Sequence, residues 1–258
     1  MQPCTRGAPR ADGRPLVLGH RGASADAPEN TLAAFRVGAS HGYRAFECDV
    51  KLSADGVPFL IHDATLQRTT PGHGPAAELT WAELSRTDAG GWHGRTWAGE
   101  PIPSFEAIAR YCLRNGFALN IELKPPTPEV EHETGRAVAE LASRLWAGEA
   151  VPPLFSSFKP EALAGARAGA PDLPRALLLD QLRDGWLEEA LGLGCVAVVC
   201  HYPLLDAAVI GRIHEAGLRA LSFTINDPAE VRRLVAAGVD GLITDAVEKF
   251  SPGAGVFD

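Results

Sequence analysis

The sequence predicts an α/β protein, a (β/α)8 TIM barrel, on three observations. The chain has 258 residues, which is a usual length for one such barrel. A segment of helical periodicity that ends at a glycine and is followed by a short apolar run recurs along the chain. Eight such apolar runs are present. Strands that alternate with helices indicate βαβ units and a parallel sheet.

Glycine marks the end of the helix in several of these repeats. Gly42, Gly116, Gly217 and Gly238 stand at this position, the last of them in A-A-G-V-D-G-L-I-T-D. Helices often end in a residue of left-handed conformation, which glycine adopts without strain. The sequence therefore predicts a positive φ angle at these four glycines.

The predicted strands are apolar along most of their length and do not alternate with polar residues. Uninterrupted apolar runs are typical of parallel strands that are buried on both faces. In chain order the eight candidates are Leu16–Gly19, Ala45–Asp49, Ala118–Leu123, Pro153–Ser157, Arg175–Leu179, Cys195–Cys200, Arg219–Phe223 and Gly241–Thr244.

A ninth apolar run, Pro58–Ile61, follows the second strand too closely to be a barrel strand. Parallel neighbours need a crossover much longer than the few residues available here. The pair Asp55-Gly56 is instead a turn signal between antiparallel strands. We therefore expect Val50–Ile61 to form a β-hairpin over the mouth, the end of the barrel where the carboxyl ends of the strands meet.

A segment at about 63–103, here called the insertion, lies outside the repeats and is rich in Gly, Pro and Trp. Thr80 and Glu83 have the spacing of a capping box, which predicts a short helix; the next helix should begin near Ser104. A connection this long is usually functional or has a small fold of its own. We expect one barrel domain over residues 1–258 with this insertion after the second strand, and a loosely ordered tail from Ser251.

The composition argues against several classes of partner. The chain carries 24 Lys and Arg and 32 Asp and Glu, a net charge of −8, whereas nucleic-acid-binding proteins usually show a basic face. There is neither an apolar run of membrane-spanning length nor a signal-peptide-like N-terminus, so we expect a cytoplasmic protein without membrane insertion. We expect the cysteines to be reduced, because their number is odd and no C-x-x-C spacing occurs: Cys4, Cys48, Cys112, Cys195 and Cys200.

Three carboxylates at predicted strand ends indicate a metal site. Glu47 and Asp49 are two residues apart on one strand and therefore point to the same side, and Glu122 ends the next barrel strand. Converging buried acids repel each other unless a cation lies between them. Ligands that are all oxygen favour Mg²⁺ or Ca²⁺ over zinc. The alternative is a structural cluster in which these acids pair with Arg21 and Lys124.

Two histidines also follow apolar strand-like runs. His20 comes after Leu16–Gly19, and His62 follows Phe59-Leu60-Ile61. Histidine gives or takes a proton near neutral pH, so two of them beside carboxylates indicate acid/base catalysis. A single histidine at such a position is more often structural. Arg21 and Lys124, directly after strand residues, are suited to bind phosphate oxygens.

The roles of several neighbouring polar and aromatic residues stay open. Asn30 is more plausible as a helix N-cap than as a site residue, and Asp63 either orients His62 or caps a turn. Aromatic side chains could line the substrate site, although at such positions they more often belong to the core. We name Phe158 and Phe223 as substrate-binding candidates and keep Trp92, Trp97 and His201 as further possibilities.

Four short motifs in one order are similar to those of a known family. The motifs are H-R-G…P-E-N-T, E-x-D-V, H-D-x-x-L-x-R-T and I-E-L-K, and the match runs from about Leu16 to Asp245. Each motif alone is weak, but all four in order are specific. The chain resembles the glycerophosphodiester phosphodiesterases, and among them the bacterial cytoplasmic members.

The resemblance implies a function and roles for the site residues. A small-molecule glycerophosphodiester, such as glycerophosphocholine or glycerophosphoethanolamine, would be hydrolysed to sn-glycerol 3-phosphate and an alcohol. His20 and His62 would act as general acid and base, in an order the sequence leaves open. One divalent metal ion, Mg²⁺ or Ca²⁺, would be bound by Glu47, Asp49 and Glu122.

Two alternative functions remain at this point. A barrel of the lysophospholipase D-like or phosphoinositide phosphodiesterase kind would call for an apolar rim or a basic membrane-seeking helix. A non-catalytic phosphate-binding barrel would be favoured if a histidine or an acid of the motifs were missing, and here every position is filled. The preferred alcohol and the oligomeric state are not specified by any motif.

Overall fold

The computed structural model describes residues 15–251, and this part of the chain contains nine strands and eight α-helices. The strands are β1 (Leu16–Gly19), β2 (Ala45–Leu52), β3 (Pro58–Leu60), β4 (Ala118–Leu123), β5 (Leu154–Ser157), β6 (Arg175–Leu179), β7 (Ala197–His201), β8 (Arg219–Phe223) and β9 (Gly241–Thr244). The helices are α1 (Leu32–Ser40), α2 (Trp81–Leu84), α3 (Phe105–Asn115), α4 (Glu131–Leu145), α5 (Pro160–Gly169), α6 (Trp186–Gly192), α7 (Ala207–Glu215) and α8 (Pro228–Ala236).

Eight of the strands form a closed parallel barrel, which confirms the predicted fold class. The sheet order is β1-β9-β8-β7-β6-β5-β4-β2, and β1 pairs with β2 to close it. Five strands, β1, β4, β6, β8 and β9, have the predicted bounds. The strand predicted at Cys195–Cys200 lies instead at Ala197–His201 (β7), and β5 begins one residue later than predicted. The second strand extends beyond Asp49 to Leu52, because its last residues pair with β3.

The hairpin is confirmed. β3 runs antiparallel to the end of β2, with Val50 opposite Leu60 and Leu52 opposite Pro58. The Ser53 amide donates to the Val57 carbonyl at 3.0 Å, and Gly56 adopts a φ of +77° in the turn. The chain therefore leaves the barrel at the end of β2 and returns to the same end just before His62.

The inward faces of the strands change from apolar to polar along the barrel axis. An apolar layer fills the lower interior and includes Leu18, Ala45 and Ile243, with Ala118 packed against it. Successive inward-facing residues of a strand are two apart. Two residues beyond this layer, the chain places His20 after β1, Glu47 on β2, Asn120 on β4 and Asp245 after β9. Active sites of such barrels lie at this end of the strands.

Glycine has the predicted conformation at the four helix ends and a second use between two helices. The φ angles of Gly42, Gly116, Gly217 and Gly238 are +88°, +66°, +78° and +90°. Between α4 and α5, a Cβ on Gly135 would lie 1.9 Å from the Ala162 carbonyl oxygen. These helices therefore approach to backbone contact, which no larger residue at 135 would allow.

The insertion has a small core of its own. Its buried apolar residues pack with the hairpin in a cluster separate from the barrel interior: Phe59, Ile61, Leu66, Ala76, Leu84, Ala89 and Ile102. The predicted capping box is present at α2, where the Thr80 amide donates to Glu83 Oε2 at 2.8 Å. Glu100 accepts a hydrogen bond from the Ala33 amide at 3.0 Å, which ties the insertion to the start of α1.

Helix α3 begins as predicted, whereas the expectation for α1 was wrong. Ser104 is the N-cap of α3 and accepts from the Ala107 amide at 3.2 Å. The N-cap of α1 is Thr31 and not Asn30, because the Thr31 hydroxyl accepts from the Ala34 amide. Asn30 has a φ of +58°, which turns its side chain away from the helix start.

Four of the cysteines are free thiols and buried, as expected: Cys48, Cys112, Cys195 and Cys200. Cys4 lies outside the described residues, as does the predicted tail beyond Ser251. Over residues 15–251 the helices are either too short or too polar to cross a bilayer.

Candidate active site

The three acids predicted to bind metal meet at the mouth. One oxygen from each of Glu47, Asp49 and Glu122 lies within 4.8 Å of the other two. The parallel register of β2 and β4 causes this, because it sets Asp49 beside Glu122. All three side chains are buried.

Burial and mutual repulsion perturb these carboxyl groups. Burial raises the pKa of Glu47 well above its usual range, and the charges of Asp49 and Glu122 raise it further. The pKa of Glu122 is also raised by burial and by Asp49, although Lys124 opposes this. For Asp49, burial is outweighed by the nearby charges of Arg21 and Lys124, and the pKa is lowered. Asp49 therefore loses its proton readily, whereas Glu47 and Glu122 keep theirs to higher pH.

The donor set fits a hard divalent cation. Glu47 Oε1 and Asp49 Oδ1 are buried and have no hydrogen-bond partner in the protein. Buried oxygens without a partner are costly, and a bound cation removes that cost. Carboxylate oxygens are the ligands that Mg²⁺ and Ca²⁺ prefer.

Arg21 and Lys124 contact the same acids. The alternative to a metal site, a cluster in which the acids pair with these two cations, predicted such contacts. Arg21 Nε lies 3.1 Å from Asp49 Oδ2, and the Arg21 backbone amide donates to Glu47 Oε2 at 3.1 Å. Lys124 Nζ lies 2.9 Å from Glu122 Oε1 and 3.6 Å from Asp49 Oδ1. Glu47 Oε1 has no such contact, and Asp49 Oδ1 has only the 3.6 Å ion pair with Lys124 and accepts no hydrogen bond, so ion pairing and metal binding are compatible.

His20 lies beside the acids and is held from behind by Asp245. Its Nδ1 is 2.6 Å from Asp245 Oδ1, and its Nε2 faces Glu47 Oε2 at 3.8 Å. Ser24 and Asn226 also donate to Asp245, at 2.6 and 2.8 Å. Burial opposes ionisation of Asp245, but the hydrogen bond from His20 and those from its other donors lower its pKa.

His62 has the same arrangement, with Asp63 as its partner. His62 Nδ1 lies 2.7 Å from Asp63 Oδ1. Burial lowers the pKa of His62, and the Asp49 charge opposes this. Of the two roles left open for Asp63, the structure shows contact with the histidine. In both histidines Nδ1 is engaged by a carboxylate, so Nε2 is the ring nitrogen free for chemistry.

Sequence reasoning missed three residues at this site. Asn30 makes two hydrogen bonds to Asp49: its Nδ2 donates to Asp49 Oδ2 at 2.8 Å, and its Oδ1 accepts from the Asp49 amide at 3.1 Å. Lys51 follows Asp49 on the inward face, and its buried Nζ donates to the Lys124 carbonyl at 3.1 Å. Burial lowers the Lys51 pKa to about 8, with a contribution from the Lys124 charge.

The third is Asp245, which a sequence signal could have found. It follows β9 at the end of the repeat A-A-G-V-D-G-L-I-T-D, by the same step of two residues that places His20 beyond Leu18. Lys51 could have been found likewise, since it continues the alternation from Glu47 through Asp49. Asn30 belongs to the P-E-N-T motif, but its contact with Asp49 also depends on its φ of +58°, which the motif does not specify.

The aromatic candidates lie at the upper end of the barrel interior. The rings of Phe158 and Phe223 meet edge to face with centroids 5.7 Å apart, and His201 lies 5.9 Å from Phe223. Phe158 and Phe223 are partly buried against the apolar interior layer. Trp92 is 41% exposed in the insertion and donates its Nε1 hydrogen to the Ala89 carbonyl.

An open cleft lies beside His20 and Asp245. Its volume is about 490 Å³, sufficient for a small organic molecule. The lining residues include His20, Arg21, Ser24, Asn226, Asp245 and Lys249. Acidic and basic side chains thus meet at a cleft in the mouth, and this arrangement is suited to acid/base chemistry on an anionic substrate.

Comparisons with known proteins agree with this geometry. The model of the glycerophosphoryl diester phosphodiesterase family matches residues 20–249. A glycerophosphodiester phosphodiesterase of Caldanaerobacter subterraneus subsp. tengcongensis is 32% identical over 237 residues, which cover 90% of this chain and 95% of that protein.

Solved structures share the fold as well. An Oleispira antarctica phosphodiesterase in complex with the product sn-glycerol-3-phosphate has a TM-score of 0.86 and 36% identity, over 92% of this chain and 96% of that one. A glycerophosphodiester phosphodiesterase of Agrobacterium tumefaciens has a TM-score of 0.78 and 29% identity, over 92% of this chain and 99% of that one. The chain is therefore an enzyme of the glycerophosphoryl diester phosphodiesterase family.

Proposed function

We propose that this enzyme hydrolyses glycerophosphodiesters, such as glycerophosphocholine and glycerophosphoethanolamine, to sn-glycerol 3-phosphate and an alcohol. The observation that carries the proposal is the pair of histidines, each held at Nδ1 by a carboxylate, beside a buried cluster of three acids. The Oleispira relative, whose structure contains sn-glycerol-3-phosphate, supports this choice of product.

Glu47, Asp49 and Glu122 are proposed to hold one Mg²⁺ or Ca²⁺ ion. A divalent cation at this place supplies Lewis-acid stabilisation of charge on phosphoryl oxygens. The support for it is the two buried oxygens without partners and the raised pKa of Glu47. Arg21 and Lys124, already at the edge of the cluster, would bind the phosphate oxygens.

His20 and His62 are proposed to move the protons. One Nε2 takes the proton from the attacking glycerol hydroxyl, and the other Nε2 gives a proton to the leaving alcohol oxygen, which leaves a cyclic glycerol phosphate. Water then opens this cyclic phosphate to sn-glycerol 3-phosphate. Asp245 and Asp63 fix the ring orientations and favour the imidazolium form while it exists. Phe158 and Phe223 would form the wall that contacts the carbon atoms of the substrate. A cytoplasmic location remains our prediction from the sequence, in which we find neither a signal-peptide-like N-terminus nor a membrane-spanning apolar run.

Release of glycerol 3-phosphate from glycerophosphocholine tests the proposal. We expect turnover with added Mg²⁺ or Ca²⁺ and a loss of at least 100-fold after chelation, in keeping with about 10²–10³-fold for a lost electrostatic stabiliser. Readdition of the metal should restore turnover. Lysophosphatidylcholine in parallel assays distinguishes the lysophospholipase D-like alternative, which predicts the larger kcat/KM for that lipid. Equal turnover with and without chelator would remove the metal from the proposal.

A further inference from the structure

Arg68, a residue of the insertion, bridges two carboxylates at the site. Its Nε and Nη2 donate to the two oxygens of Asp63 at 2.7 and 3.0 Å. Its Nη1 and Nη2 donate to the two oxygens of Glu29 at 2.7 Å each. A single guanidinium therefore binds two carboxylates in bidentate fashion, a geometry that only arginine provides.

Both carboxylates continue to groups of the active site. Asp63 Oδ1 contacts His62 Nδ1 at 2.7 Å. Glu29 Oε1 accepts from Arg21 Nη1 at 2.8 Å, and Arg21 Nε in turn contacts Asp49. Arg68 thus links the histidine after the hairpin to the arginine after β1, which belong to elements far apart in the sequence.

The backbone around Arg68 is anchored, so the bridge is not a mobile surface ion pair. Leu66 is buried in the core of the insertion, and Thr69 and Thr70 on the other side are buried as well. The Thr70 hydroxyl donates to the Leu66 carbonyl at 2.8 Å, which closes the turn that carries Arg68. Exposed ion pairs contribute little to stability, so a role in orientation explains this arrangement better than a role in folding.

We propose that Arg68 is a positioning residue that sets the orientation of His62 through Asp63 and of Arg21 through Glu29. The inference rests on the proposed function, in which His62 transfers protons and Arg21 binds phosphate. It assigns the insertion a part in catalysis: one side chain of the insertion aligns groups on two sides of the mouth.

The first test is kinetic. Residues that orient the ligands of a metal ion typically contribute about 10- to 100-fold to activity. Because Arg68 orients His62 and Arg21 in the same indirect way, we expect Arg68→Gln to lower kcat by a factor of that order. Arg68→Lys should recover only part of the loss, because an ammonium group cannot bind both carboxylates in bidentate fashion. Millimolar guanidinium, but not ammonium, should raise the kcat of Arg68→Ala. Arg86→Gln, at an exposed arginine of the same insertion, is the matched control and should have wild-type kinetics.

The second test does not need turnover. The charged groups that face His62 are Asp49, Arg21, Lys124 and Asp63. The hydrogen bond from Arg68 is the largest cause of the lowered pKa of Asp63. When Arg68 is removed, the Asp63 carboxylate accepts a hydrogen bond from the protonated His62 ring more strongly than it does in the wild type. The His62 pKa measured by proton NMR should therefore rise. The ring signals of His73, exposed in the insertion, serve as the internal control.

The outcomes separate this inference from the proposed function. Wild-type kcat together with an unchanged His62 pKa in Arg68→Gln would overturn the positioning role. A lower melting temperature with an unchanged His62 pKa would overturn it too, since Arg68 would then act only in folding. If the wild-type enzyme releases no glycerol 3-phosphate while the His62 pKa shifts as expected, the proposed function fails and the positioning role stands.

Discussion

Several ionisable side chains at the mouth have perturbed pKa values, and that of Glu47 is raised well above its usual value. Glu47 is buried beside two other acids, and burial is the largest cause of its raised pKa. Glu47 therefore binds its proton more tightly in the folded than in the unfolded chain. In the absence of metal, such a group lowers stability as the pH rises above its unfolded value of about 4.5.

The first prediction concerns this residue. In chelator, Glu47→Gln should melt at a higher temperature than the wild type at pH 8, and the difference should shrink towards pH 5. Each kcal/mol corresponds to about 2–4 °C for a chain of this size. The same variant should lose measurable binding of Ca²⁺ or Mg²⁺ by titration calorimetry. Wild-type metal affinity in Glu47→Gln would show that the ion binds elsewhere.

The second prediction concerns the two histidines. His20→Ala and His62→Ala should each lower kcat by about 10²- to 10⁴-fold, the usual contribution of a positioned acid or base. His73→Ala, at an exposed histidine of the insertion, serves as the control. Melting curves should stay close to wild type. A histidine whose removal leaves kcat unchanged has a structural role, and another group must then transfer that proton.

Among the structural elements, the hairpin and the insertion act together. The hairpin returns the chain to the mouth and sets the position of His62, while the insertion covers the apolar side of the hairpin with residues such as Leu84. The barrel interior is a separate apolar cluster. Loss of the insertion should therefore disturb the mouth and leave the barrel folded.

The third prediction tests this division. Replacement of residues 72–97 by a short Gly-Ser linker should raise KM for several diesters and change their ranking. The melting temperature should fall as well, because Phe59 and Ile61 lose part of their cover. Circular dichroism and melting curves should still show one cooperative, folded barrel. Complete unfolding of the deletion variant would place the insertion in the core of the fold.

At the scale of the whole molecule, the barrel brings the ends of separate strands into one site. The closure of β1 on β2 sets His20 near Glu47, and the pairing of β1 with β9 sets it near Asp245. No serine or cysteine is placed beside a histidine as a nucleophile in the four motifs. The first nucleophile must then come from the substrate or from water.

The fourth prediction follows from that choice. The glycerol hydroxyl beside the phosphate is already close to phosphorus, which saves much of the entropy that an external nucleophile loses. A diester that lacks this hydroxyl, with propanediol in place of glycerol, should bind but turn over much more slowly. We would measure the inhibition constant and the kcat of this diester. For the glycerol diester, ³¹P NMR at short times would detect a cyclic phosphate intermediate. Equal kcat for both diesters would assign the attack to water.

The sequence alone predicted much of the fold, because its local signals agree with each other. Uninterrupted apolar runs marked the strands, glycines marked the helix ends, and Asp55-Gly56 marked the hairpin turn. These signals act over a few residues, so they are readable without tertiary contacts. The alternation along β2 and the position of Glu122 also predicted which acids would converge, and the structure brings them together.

Only the tertiary structure decided which residues complete the site. Asn30 was expected to cap a helix, yet it adopts a φ of +58° and makes two hydrogen bonds to Asp49 on β2. Asp245 contacts His20 from the other end of the chain, and Arg68, which is near Asp63 in sequence, reaches Glu29 from a different element. The physical reason is that strand identity follows from local hydrophobicity, whereas the partner of a polar group depends on barrel closure and strand register.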